Sequence, residues 1–172
     1  MSVDDAVAAD REERIEEAAE LYELAIAASA APLSVLMNLA ILYWQATDYG
    51  FSSGHHLAQQ FVARAAIRFG ELLNEGATRF PQNTEPRFWQ KYIAWADLGT
   101  PLSSNECRSL LAQDPSALVV SMHLFSVSQG AECVDEAFRL LEASRADRTT
   151  RSRYIASVIE GALKRRTGNS KN

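Results

Sequence analysis

The chain has 172 residues, of which 47% are hydrophobic and 23% charged, with a net charge of −5. That length suits one domain with a sizeable core, and that composition excludes whole-chain disorder and fibrous repeats. The acidic balance disfavours nucleic acid as a general partner.

Alternating strand patterns are absent and apolar residues recur at helical spacing, which predicts an all-α fold of about eight helices. The first is expected from Asp10 to Ala30, with the stripe Ile15, Ala18, Tyr22, Ala25 and Ile26, behind a frayed stretch 1–9. Pro32 opens a second helix, Leu33 to Thr47, which is apolar almost all round and must therefore be buried between neighbours. A polar loop follows at 48–54. The third helix is expected from His55 to Arg79, with Phe61, Ala65, Phe69, Leu72 and Leu73 turned inward. A fourth starts near Pro86, carries Phe88, Trp89, Tyr92, Ile93 and Trp95, and stops at Gly99. Ser103 and Glu106 form a capping box for a short fifth helix. Asp114-Pro115 predicts the opening of a sixth, which ends near Gly130. A seventh spans about Cys133 to Arg145. The eighth begins at Thr149 or Thr150, with Tyr154, Ile155, Val158, Ile159, Ala162 and Leu163 on one face and a frayed end at 167–172. Short connections imply antiparallel hairpins within a single helical domain, 1–172, either stacked or closed into a bundle.

The run Leu36-Met37-Asn38-Leu39-Ala40-Ile41-Leu42-Tyr43, closed by Asp48-Tyr49, resembles the first helix of a tetratricopeptide repeat. There a small residue lets the partner helix approach while large ones fill the space around it. Ala18, Tyr22 and Ala25 are similar to the second helix of a preceding unit. Trp89, Tyr92, Ile93 and Ala96 resemble the same motif, or its half-a-tetratricopeptide relative, and Leu118, Met122, Phe125, Ala137 and Leu141 make a third match. Pro81 and Pro115 lie 34 residues apart, the period of the family, although Leu36 to Trp89 is 53 residues and Trp89 to Leu118 is 29. An ordinary helical bundle is the alternative.

The resemblance implies a non-enzymatic interaction module that binds a peptide segment or a partner protein in a concave groove. A dedicated single-partner protein, such as a secretion chaperone or a toxin-neutralising immunity protein, is the narrower alternative. Transferred by register, the groove residues would be Met37, Ile41 and Trp44 in the first hairpin, Arg87, Gln90 and Asp97 in the second, and Val119 and His123 in the third. Tyr49 and Phe51 would close over one end. The competing assignment makes Met37, Ile41 and Trp44 core.

Other motifs carry less. Gly50-Phe51-Ser52-Ser53-Gly54 matches G-x-S-x-G, but a nucleophile elbow needs a strand before the turn, so a serine hydrolase is the lesser reading. His55 and His56 would point ~100° apart on a helix, with Gln59 and Gln60 at i+4, so no metal is expected. Cys107 and Cys133 lack ligand spacing and are expected to be reduced. No cofactor motif appears, and a non-enzyme is expected. Charge divides the chain. Residues 1–23 hold nine acids and two arginines, net −7, while residues 145–172 hold eight bases and two acids, net +6. The first-helix glutamates either face water or meet a basic partner, and the two ends predict weak, salt-sensitive self-association. The basic last helix lacks interleaved aromatics, which disfavours nucleic acid. With no leader of the secretory kind and no apolar run of ~18 residues, a cytoplasmic protein without a membrane partner is expected.

Overall fold

A computed structural model describes residues 2–28 and 31–169. Among these residues the chain is all-α, with ten helices and no strand. It falls into two compact units, Met1–Pro81 with Thr149–Arg151 and Gln82–Arg148 with Ser152–Asn172.

The first unit contains α1 (Val3–Arg11), α2 (Ile15–Ala28), α3 (Leu33–Ala46), α4 (Tyr49–Gly54) and α5 (Gln59–Arg79). α3 is its centre and packs against α2, α4 and α5. Every side chain from Val35 to Trp44 is buried, as its apolar character on all faces requires. Residues 1–9, expected to fray, instead hold α1, whose first turn is closed by a Ser2/Asp5 capping box and which buries Ala6 and Ala9. The expected helix Asp10–Ala30 is broken at Glu12–Arg14, and its last two residues lie outside the described chain. Glu13 takes a left-handed φ of 61°, Arg14 N–H donates to Ala9 O, and the chain turns back on itself as in a Schellman cap. The loop expected at 48–54 contains a helix, because Asp48 caps it by accepting from Phe51 N at 2.8 Å. His56, at φ 54°, ends that turn, so α5 starts at Gln59 rather than at His55.

Four buried residues of this unit, Asp10, Tyr22, Asn38 and Thr150, share one hydrogen-bond network. The Asp10 carboxylate, fully buried, accepts from Tyr22 Oη (3.1 Å), Thr150 N (2.8 Å) and Thr150 Oγ1 (2.6 Å), while Asn38 Nδ2 donates to Tyr22 Oη (3.3 Å). A carboxylate on the first N–H groups of a helix satisfies donors that have no partner within the helix.

The second unit contains α6 (Glu85–Leu98), α7 (Ser104–Gln113), α8 (Val119–Val127), α9 (Val134–Asp147) and most of α10 (Thr150–Asn169). Its central helix is α8, buried from Val119 to Phe125 and packed against α6, α7 and α9. The Ser103/Glu106 box caps α7 as the sequence predicts, and these hydrogen bonds with Lys91 hold the Glu106 carboxyl down at about 2. Asp114-Pro115 does not open a helix. Asp114 accepts from Ser116 N, Ser116 Oγ and Thr84 N, holding a turn from which α8 starts at Val119. Gly99 caps α6 at φ 68°, where only glycine is unstrained. α10 continues through 167–169, which had been expected to fray, and 170–172 lie outside the described residues.

Candidate partner-binding cleft

Two departures from simple burial in the first unit lie on α2 and α5, the helices that flank α3. The inward stripe of α2 leaves Leu24 off its line, and Leu24 is 48% exposed. Between Leu24 and Arg64 of α5 opens a cleft of about 410 Å³ lined by Glu20, Glu23, Leu24, Tyr43 and Arg64. On the same helix, outside that lining, Ile67 is 69% exposed.

Polar bonds fix its width. Glu23 receives Arg68 Nε at 2.9 Å on one carboxylate oxygen and Arg68 Nη2 at 3.0 Å on the other, a forked pair joining α2 to α5. Glu16 accepts Ala58 N at 2.7 Å, tying the start of α5 to the same helix. Arg79 Nη2 donates to Ala31 O at 3.0 Å. Tyr43 brings its hydroxyl up from α3 to Glu23 at 3.3 Å, while burial and the Glu23 charge push its phenol up to about 12. The phenol is thus a neutral donor at physiological pH. Arg64 lies 5.4 Å over the Phe61 ring, which directs its guanidinium along the cleft edge. Beside cleft-lining Glu20, the exposed face of α2 also carries Glu17.

Of the residues assigned to a groove by register, five are buried. Met37 and Ile41 are fully buried and Trp44 is 6% exposed, so all three are core. Val119 and His123 are buried too. The physical reason is that α3 and α8 are apolar on every face and are enclosed by their neighbours. Of the residues expected in the groove, Arg87, Gln90 and Asp97 lie along one outer face of α6, half-exposed or exposed, and Arg87 Nη2 reaches Gln113 Oε1 at 3.4 Å. His123 meets Tyr92 and Trp95 edge-on, at ring centroid distances of 5.6 and 4.8 Å. Burial lowers its pKa, with a hydrogen bond to the Leu102 backbone pulling weakly the other way. Tyr49 is 84% exposed on α4 and Phe51 is half-buried against His55. Tyr49, Ser52, His56 and Leu57 border a shallow depression rather than a flap over a groove.

Sequence reasoning missed Leu24, Arg64 and Ile67. The available signal was negative: an apolar residue outside the inward stripe of its own helix has no partner within the unit.

The remaining motifs sit in ordinary surroundings. Ser52 Oγ donates to Tyr49 O at 3.2 Å, within a helical turn and with no strand before it. His55 places Nδ1 2.9 Å from Phe51 O and Nε2 3.5 Å from Glu13. Among the described residues no three histidine, cysteine or acidic side chains are grouped to hold a metal ion. Burial pushes the Cys107 thiol up to about 11 and also raises that of Cys133, so both are protonated at neutral pH. No described helix is long and apolar enough to cross a membrane. No protein-family model matches the chain, and neither a curated protein nor a solved structure shows significant similarity to it.

Proposed function

We propose that the chain is a non-enzymatic interaction protein that receives a positively charged, amphipathic segment of a partner protein in the α2–α5 cleft. The observation that carries this reading is half-exposed Leu24 in the cleft wall beside the exposed carboxylates Glu17 and Glu20 of α2. An exposed apolar side chain in a cleft wall favours an apolar anchor, and the glutamates favour lysine or arginine flanking it. The Tyr43 hydroxyl and Arg64 supply directional contacts to the segment's backbone or polar side chains. The tetratricopeptide-like run Leu36–Tyr43 supports a helical-hairpin scaffold for such binding, with the contacts made by the outer helices instead of α3. A dedicated single-partner protein is the narrower form of the same proposal.

The test uses two labelled helical peptides of equal hydrophobicity, one with lysine and the other with glutamate on its polar face, titrated by fluorescence anisotropy. The lysine peptide should bind at low salt, and Leu24→Ser and Glu20→Lys should each weaken it about tenfold, equivalent to ~1.4 kcal/mol. Equal affinity for the two peptides, or indifference to both substitutions, refutes the proposal.

A further inference from the structure

We propose that Arg64 receives a side-chain carboxylate of the segment held in the α2–α5 cleft, on the edge opposite the lysine that faces Glu20; the assignment rests on the function proposed above. Contacts between the two walls set their register. Glu16 accepts from Ala58 N at 2.7 Å, Glu23 accepts from Arg68 Nε at 2.9 Å, and Arg79 Nη2 donates to Ala31 O at 3.0 Å. Positions on the two walls rise together, so α2 and α5 run parallel past one another. Glu20 lies between Glu16 and Glu23, and Arg64 between Ala58 and Arg68. The two therefore stand at about the same level on facing walls of the cleft that both line.

The neighbouring charges are already engaged, Glu17 by Arg14, Glu23 by Arg68, and Arg68 by both Glu23 and Glu71. Glu20 and Arg64 are exposed, and among the described residues neither side chain forms an ion pair or a hydrogen bond, with the other or with any third group. The Arg64 guanidinium stands 5.4 Å over the Phe61 ring, a contact that uses none of its N–H donors. Its planar fork of donors matches a carboxylate. A segment seated on Leu24 and Tyr43 takes water from Glu20 and Arg64 alike. A charge that loses water without gaining an opposite charge is penalised. A lysine answers Glu20 and leaves Arg64 facing added positive charge. A segment with lysine on one edge of its apolar face and an acidic residue on the other answers both.

The test titrates the whole chain with the lysine peptide, acetylated and amidated so that it has no terminal carboxylate. In a companion set, one glutamate replaces a neutral residue at successive positions round the polar face. Fluorescence anisotropy at the same low salt gives each affinity. Glutamate on the edge opposite the lysines should tighten binding about three- to fivefold, as expected for an exposed pair. The gain should vanish in Arg64→Gln, and in Arg64→Glu that position alone should prefer lysine. Glutamate on the lysine edge should weaken binding, because it faces Glu20. No tightening at any position, or tightening that persists in Arg64→Gln, overturns the inference. If Arg64→Gln tightens the plain lysine peptide by more than about fivefold, Arg64 closes on Glu20 instead, which also overturns it. In each of these cases a lysine peptide that still binds leaves the proposed function standing. A lysine peptide that does not bind removes the proposed function and this inference with it.

Discussion

Replacing Asp10 by alanine probes a contact between residues 140 positions apart. The carboxylate is fully buried and receives the Tyr22 hydroxyl, the Thr150 amide and the Thr150 hydroxyl at 3.1, 2.8 and 2.6 Å. A hydrogen bond to a charged group contributes about 1.5–3 kcal/mol, and a buried donor left without a partner costs about 1–3 kcal/mol. These terms overlap and are not additive, because Thr150 supplies two of the donors and local relaxation admits some water. A net loss of ~3–5 kcal/mol is therefore expected for Asp10→Ala, similar to breaking a buried ion pair from one side. Asp10→Asn keeps one carbonyl oxygen for Thr150 and should lose only ~1–2 kcal/mol. Urea unfolding followed by circular dichroism measures both, with an unchanged slope as the check that the unfolded state is the same. A loss below ~1 kcal/mol for Asp10→Ala would falsify the view that this network holds the start of α10 in the first unit.

Trp44→Ala removes a side chain that is 6% exposed and should cost ~3–5 kcal/mol of stability in a thermal or urea melt, whereas a groove residue would cost little. Stability should also fall in mild acid because of His123. Its folded pKa lies below the unfolded value of 6.5, so between the two values the unfolded chain binds the extra proton. The His123 contribution is therefore complete above pH 6.5 and is lost as pH falls toward the folded pKa. His123→Phe should flatten the fall of the melting temperature as pH drops below 6.5. An unchanged slope in that window rules out His123 as the source.

Helix type was legible along most of the chain for a specific reason. Leu33–Ala46 and Val119–Val127 are apolar at every angle around the helix, and the helices around them show one-sided stripes, so central and outer elements separate by pattern alone. The Ser103/Glu106 box and Gly99 carry their geometry in their residue types. The breaks at Glu13 and His56 were not legible, because both hold left-handed backbone with residues that give no sign of it. α4 was hidden by the glycines and serines of its own turn, although Asp48 three residues before Phe51 was the capping signal. Asp114-Pro115 misled in the opposite direction, since an aspartate that can cap a helix can equally hold a turn. The Asp10–Thr150 bonds had no sequence signature at all.

The misplaced groove follows from the same pattern that made the fold legible. Register transfer from a tetratricopeptide repeat assumes that the first helix of each hairpin keeps one face open, and that needs polar or small residues on that face. α3 has Met37, Ile41 and Trp44 at those positions, each with more apolar area than a solvent-facing position readily tolerates. Burying them contributes stability, of order 1.5–3 kcal/mol for a Met or Ile side chain, which an exposed groove would forgo. Once the central helix is closed on all sides, recognition can use only side chains of the helices around it. On those helices the relevant residues are apolar groups that do not belong to the inward stripe, Leu24 and Ile67 on α2 and α5, and Phe138 on α9. Leu24 stands beside the glutamates Glu20 and Glu23 of α2, and Phe138 lies among charges of both signs, Arg139, Glu142 and Arg145. Apolar area supplies affinity that salt does not screen, and the adjacent charge selects which segment is admitted. Substitutions on α3 and α8 should therefore act first through folding, and substitutions at these outer positions through association.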